Sequence, residues 1–196
     1  MIRIRPLTPA DAERFLELLQ AVDAESPYML YEPGERKSTP DKERARINWW
    51  RMAGNSTVLG AEAKNLLVGF AMVTGGTVTR NRHCLTLEGL AVRKTWRRKG
   101  LGSKLLCAVL DWAVKQGLRR MELGVMAPNA EALALYEKHG FTREGVKRQA
   151  FLLGDRAVDQ VLMARLLPAG GSAFLIDKEK NRELEPLEKS PGPEPQ

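Results

Sequence analysis

Histidine and cysteine are scarce in this chain, at two residues each out of 196. Cys84 and Cys107 stand singly in apolar surroundings without the spacing of metal ligands. That pattern argues against a metal cluster or a disulfide framework and for two buried, reduced thiols. His83 has no Ser, Cys or carboxylate constellation beside it. His139 falls in the last turn of a helical pattern, where it reads as a partner of the helix dipole rather than a catalyst. Long apolar runs are also missing, and none approaches the ~20 residues of a membrane span. Met1–Pro6 holds no apolar signal core, so the expectation is a cytoplasmic protein with no export signal and no membrane partner.

Charge of one sign is in excess. The chain carries 31 Lys and Arg against 24 Asp and Glu, a net of +7, with 43% hydrophobic and 28% charged residues. Residues 168–196 hold five of the eleven prolines, four Lys or Arg and six Asp or Glu, so +9 rests on residues 1–167. The expected organisation is one domain over 1–167 and a Pro- and charge-rich extension over 168–196, flexible or loosely docked because it cannot form a core alone. A basic body suits nucleic acid, acidic protein or a phosphorylated cofactor. Trp96 is the single aromatic among the clustered cations and no nucleic-acid motif is present, so no nucleic acid is expected.

Periodicity orders the elements. Ile2 and Ile4 alternate with Arg3 and Arg5 as a short strand. Thr8-Pro9-Ala10-Asp11 is a helix start, with the helix running to about Val22 and burying Phe15, Leu18 and Leu19. Thr39-Pro40 starts a second helix carrying Trp49 and Trp50, which, being adjacent, cannot both face the core squarely. Strand patterns follow at 56–63, 66–74 and 83–92, with turns at Lys64-Asn65 and Gly75-Gly76. A helix over 101–116 would bury Leu101, Leu105, Val109, Trp112 and Ala113, and Gly117 ends it. Next come a strand at 119–126, a helix from Asn129 to Gly140, and strands at 141–152 and 156–166. Three successive strands suggest an antiparallel meander, and the strand-helix-strand passage from 83 to 126 suggests a parallel pair.

The most informative segment is Val92-Arg-Lys-Thr-Trp-Arg-Arg-Lys-Gly-Leu-Gly-Ser103, a basic glycine turn between a strand and a helix. Gly100 and Gly102 let the backbone approach a ligand, and the helix N-terminus behind them favours an anion. Arg93, Lys94, Arg97, Arg98 and Lys99 add five cations within seven residues. A Walker loop is absent. A dinucleotide fingerprint fails because Leu105 fills its third glycine position and seven residues separate Val92 from Gly100.

A third phosphate device fits. Leu85–Leu106, with Arg97, Gly100 and Gly102 in the order Arg-x-x-Gly-x-Gly, resembles the acetyl-CoA loop of the GNAT-type N-acetyltransferases. A second segment resembles that family's N-x-x-A-x-x-x-Y-x-x-x-G-F pattern: Asn129, Ala132, Tyr136 and Gly140-Phe141 hold the places. The resemblance spans 1–167 in element order and is specific over 85–141. It implies an α+β fold in three layers: a mixed, mostly antiparallel sheet of about seven strands, helices on both faces, and a splayed parallel pair at the centre.

The resemblance further implies acetyl-CoA as co-substrate and no metal. The acyl arm would lie in the splay. Backbone N–H groups at Leu90, Ala91 and Val92 would bond it, Asn129 would touch it, and Arg97, Arg98, Lys99, Gly100, Leu101, Gly102 and Ser103 would cradle the pyrophosphate. Amine attack needs an unprotonated nitrogen, and an alkylammonium has a pKa of roughly 10.4, so a base is required. Glu88 is the candidate, a carboxylate on an apolar strand sharing a face with Thr86 and Leu90; pairing with a nearby Arg or plain solvation is the alternative for it. Tyr136 is the candidate acid for the leaving thiolate, with simple packing as its alternative. Tyr28, Tyr31, Glu32 and Glu35, with the hairpin near 150–158, are candidates to line the acceptor pocket, the carboxylates drawing in a cationic amine. The expected activity is acetyl transfer to a primary amine of a small molecule or peptide, by direct attack in a ternary complex. A non-catalytic acyl-CoA-binding regulator and a basic nucleic-acid module stay as alternatives. A homodimer is compatible with the sequence, and the acceptor and the acyl length are left open.

Overall fold

The computed structural model describes residues 1–168, so the expectation for the C-terminal extension lies, beyond Pro168, outside the described residues. The strands are β1 (Ile2–Pro6), β2 (Thr57–Ala63), β3 (Leu66–Gly75), β4 (Cys84–Val92), β5 (Arg120–Met126), β6 (Thr142–Leu153) and β7 (Arg156–Leu166). The helices are α1 (Ala12–Glu25), α2 (Pro40–Met52), α3 (Leu101–Lys115) and α4 (Ala130–Lys138). One seven-stranded sheet runs in the order β1-β2-β3-β4-β5-β7-β6. All neighbours are antiparallel except β4 and β5, the parallel pair that α3 connects. The α+β class and the central parallel pair are as the sequence implies.

Each face of the sheet buries its own core. On one face, α1 and α2 cover Phe70 and Leu67 with Phe15, Leu19, Ile47 and Trp50, Phe15 meeting Phe70 edge-on at 5.6 Å. On the other, α3 and α4 lay Leu105, Val109, Leu133 and Tyr136 over Val73, Leu87 and Leu123. Trp50 is 5% exposed and Trp49 49%, so the adjacent pair divides between core and surface. Trp112 corrects the expected core of α3, being half-buried at the edge of the apolar stripe. Among the described residues no helix is long and apolar enough to cross a membrane.

Local chemistry explains two departures from the expected element bounds. The first helix opens with a 3₁₀ turn, Pro9–Asp11, before α1 takes over and runs three residues past Val22. Asp11 reaches back to the Thr8 N–H at 2.8 Å and the Thr8 hydroxyl at 3.0 Å, a reciprocal cap that tightens the turn. Residues 76–83 form an irregular link rather than a Gly75-Gly76 turn. Asn81 organises it, its side chain accepting from the Val78 N–H and its carbonyl from the Cys84 N–H.

Asp11 also centres a charge cluster under β1. Arg5 donates to its two oxygens at 2.7 and 2.8 Å, Arg14 donates to it as well, and both arginines bond Glu62 on β2. The Arg5 guanidinium holds the buried Asp11 carboxyl well below the ordinary carboxylate range. A depressed folded pKa stabilises the fold above the unfolded value, and that stability fades only as pH falls through and below the Asp range. Asp11→Asn should cost about 3–5 kcal/mol at pH 7, because it strands two guanidiniums. The melting temperature should drop by about 10 °C, measurable by calorimetry. The deficit should shrink as the wild type is taken to strongly acidic pH.

Candidate active site

The parallel pair opens soon after it forms. Cys84, Leu85 and Thr86 pair with Arg120, Met121 and Glu122, and then β4 and β5 part, leaving Leu87–Val92 and Leu123–Met126 as the two lips of a cleft. A bulge helps to part them. On the β3 side Val73 pairs with Leu87 and Met72 with Gly89, so Glu88 is an extra residue in β4. The bulge reverses the alternation of side chains: Leu85 and Leu87 face α3, and beyond it so do Leu90 and Val92. Glu88 therefore shares a face with Thr86 but not with Leu90, correcting the simple period-two expectation. The Arg93 N–H bonds the Val68 carbonyl at 2.9 Å, so Ala91 turns its N–H to β3. By the same alternation the N–H groups of Leu90 and Val92 point into the open seam.

The cleft between the lips holds about 570 Å³, and Glu88, Tyr136, Asn129 and Leu90 line it. Glu88 is open to this space. The cleft walls still displace enough water from the carboxyl to push its pKa above the ordinary value. Among the described residues it has no ion-pair partner, so the Arg-paired alternative does not hold.

The glycine turn closes the open end. Gly100 caps α3 in the left-handed region at φ 74°, where a side chain would be strained, and Arg98 before it also has positive φ, 59°. The first N–H groups of α3, on Leu101, Gly102 and Ser103, have no carbonyl within the helix, and no acidic residue sits in that turn. A Cβ on Gly102 would meet Leu135 at 3.6 Å and Leu90 at 3.8 Å, ordinary contact, so nothing in the protein itself demands glycine there. The cations do not all face outward. Arg97 donates to the Val92 carbonyl at 2.9 Å and the Glu25 carbonyl at 3.3 Å, pinning the loop to the end of α1. Lys99 bonds the Thr95 carbonyl, and Arg98 pairs with Glu131 at the surface.

Tyr136 lies on the buried face of α4 with Leu133, one turn earlier. Asn129 fixes that helix by accepting the Ala132 N–H at 3.2 Å on Oδ1, which leaves its amide donors for the cleft. The Tyr136 ring packs edge-on against Phe141 at 5.6 Å, and burial pushes its phenol above the ordinary value. Among the described residues its hydroxyl makes no hydrogen bond, and the residue lines the cleft. His139 is the C-cap of α4, where desolvation, with Lys138 and Arg165 nearby, lowers its pKa, and its Nδ1 lies 3.7 Å from Cys107 Sγ.

The far wall of the cleft is basic. Tyr28, Tyr31 and Phe151 line it as expected, and the Tyr28 hydroxyl reaches the Pro128 carbonyl at 3.2 Å, bridging the α1–α2 loop to the end of β5. Glu32 and Glu35 do not line it: the Glu35 carboxylate is turned to the Glu32 N–H. Arg36 and Arg46 stand there instead, leaving Glu88 the one acidic residue in the lining among the described residues.

Residues 21–141 match the Acetyltransferase (GNAT) family. The chain belongs to the GNAT family. A solved GNAT acetyltransferase from Streptococcus pneumoniae superposes with a TM-score of 0.82 and 28% identity, covering 86% of this chain and 100% of that one. A putative acetyltransferase from Salmonella typhimurium, solved with its cofactor acetyl-CoA, superposes at 0.77 with 22% identity, over 88% and 97%. The [ribosomal protein bS18]-alanine N-acetyltransferase of Escherichia coli K12 is 38% identical over 79 residues, 40% of this chain and 53% of that one. This GNAT chain thus spans about half the length of the curated relatives it matches.

Sequence reasoning missed Arg36 and Arg46 in this GNAT domain. The one available signal was the spacing of Glu43 and Arg46, which sets them on one side of α2. Nothing local showed that this side meets β3 and the cleft.

Proposed function

We propose that this GNAT domain transfers the acetyl group of acetyl-CoA to a primary amine by direct attack in a ternary complex, working in the cytosol. The observation that carries the reading is the parallel seam that stops after three pairs and ends on a glycine-opened helix N-terminus. The backbone fits such a donor. Leu90 and Val92 offer N–H groups along the seam, the Arg97–Ser103 turn offers N–H groups and cations for the pyrophosphate, and Asn129 offers its amide at the other lip. Acetyl-CoA supplies an activated thioester. One of the two seam N–H groups would polarise its carbonyl oxygen, and the other, two residues along the strand, would bond the pantetheine arm. Glu88 takes the proton from the amine, directly or through water, as the nitrogen bonds to the acyl carbon. Tyr136 gives its proton to the departing sulfur.

The test combines calorimetry of acetyl-CoA binding with free-thiol release on an amine panel. No donor binding at micromolar concentration sinks the reading, and tight binding without turnover on any amine assigns the chain to the acyl-CoA-binding regulators instead. Ser103→Glu is a sharp probe of the cradle. At the third position of α3 a glutamate favours the helix, so the melting temperature should hold or rise. The same charge beside the pyrophosphate should weaken acetyl-CoA by about 100-fold, the effect of a like charge a few ångströms away at a protein surface.

A further inference from the structure

Two guanidiniums face the acceptor side of the cleft, and their partners differ. Arg36 is satisfied: it grips the buried Asp23 with two bonds, 2.6 and 3.0 Å, and stacks on Tyr31 at 4.3 Å. Arg46 is not. Among the described residues its Nε is fully buried with no partner, one terminal nitrogen has only the Met72 sulfur at 3.3 Å, and the other is 3.5 Å from a Glu43 oxygen that Ser38 already occupies at 2.7 Å. A guanidinium carries five donors and keeps its charge in a protein. Here its faces lie against Trp50 at 4.7 Å and Phe15 at 5.9 Å, and desolvation is the largest influence on its pKa, lowering it. Its side chain remains 36% exposed, toward the cleft it lines. Met72, which Arg46 touches, pairs with Gly89, the residue after Glu88. One methionine side chain thus separates this cation from the strand bulge that carries the base.

We propose that the acceptor is a free amino acid, whose amine meets Glu88 and whose carboxylate is held by Arg46. The inference rests on the amine-acetylating reading above and names its substrate class. A carboxylate matches the donor fork of an arginine in geometry and charge, and a polyamine or a plain alkylamine leaves that fork unfilled. The volume is that of a small-molecule site, and it is shared with the acyl arm, which favours a compact acceptor over a protein segment.

The experiment measures thiol release with acetyl-CoA and matched acceptors: each common amino acid, its carboxamide, and the amine lacking the carboxyl carbon. The best amino acid should exceed its decarboxylated amine by about 100-fold in kcat/KM. Arg46→Met should bring that ratio near one, chiefly through KM for the acid, and Arg46→Lys should keep part of it. Arg46→Met strands the buried Glu43, so the double variant Glu43→Gln/Arg46→Met is measured beside it, with melting temperatures for all. The inference is overturned if carboxylate-free amines or peptide N-termini serve as well as the acid. It is also overturned if the Arg46 variants lower every acceptor in step. Failure to bind acetyl-CoA would sink the donor reading itself, which the same calorimetry separates from failure of the acceptor class.

Discussion

Tyr136→Phe should lower kcat by about 10²–10⁴-fold while leaving acetyl-CoA affinity and the melting temperature close to those of the wild type. The substitution removes one oxygen and nothing else. Its ring, packed on Phe141 and the α4 side of the core, keeps every apolar contact. The hydroxyl has no protein partner among the described residues, so its loss strands no buried donor or acceptor and should cost little stability. The phenol is raised by desolvation. It therefore holds its proton across the working pH range and can release it to a thiolate only as that thiolate forms. An acyl-CoA-binding regulator would show no catalytic effect at all. A wild-type rate in the variant would remove Tyr136 from the chemistry and return it to the core.

Glu88→Gln should cut kcat/KM by a similar 10²–10⁴-fold and erase the acidic limb of its pH profile. The base works only when ionised, and burial pushes this carboxyl up, so the wild-type limb should lie above the ordinary carboxylate range. The stability sign is opposite to that of Asp11. A carboxyl whose folded pKa is raised weakens the fold as pH climbs through the interval between its ordinary and its raised value. At pH 7 the glutamine should therefore hold or raise the melting temperature while activity falls. An ordinary ion-paired glutamate would behave the other way. A limb that survives in Glu88→Gln assigns the proton to another group.

The donor half of the proposed site is legible in the sequence because its signals are local. Gly100, Gly102, Asn129 and Tyr136 sit in short motifs whose spacing is set by one strand, one turn or one helix. The element order was readable for the same reason, since hydrophobic period and caps act within about a dozen residues. The acceptor half was not. Arg46 becomes a cleft residue only because α2 crosses β3 at Met72, a contact between segments 26 residues apart that no spacing announces. The bulge at Glu88 was equally hidden: β4 reads as an even alternation until its register with β3 is known, and one inserted residue then moves Leu90 to the other face. Glu32 and Glu35 show the converse error, two acids in a promising loop that the cleft lining omits, the Glu35 carboxylate accepting the Glu32 N–H instead.

The seam between β4 and β5 has a mechanical side. Three backbone pairs and the helix that arches over them join a four-stranded block to a three-stranded one. Of all the joints in the sheet it is the shortest, and the remainder of its ladder is open. An occupant of the cleft that bonds Leu90 and Val92 on one lip and Asn129 on the other acts as an inserted eighth strand, riveting the two blocks together. Occupancy and rigidity then rise together, since whatever binds the closed sheet and not the unfolded chain adds its own affinity to the stability of the fold. The amide hydrogens of Leu90 and Val92, which have no β5 partner, should exchange more slowly once acetyl-CoA is added, and that slowing gauges how firmly the halves are fastened.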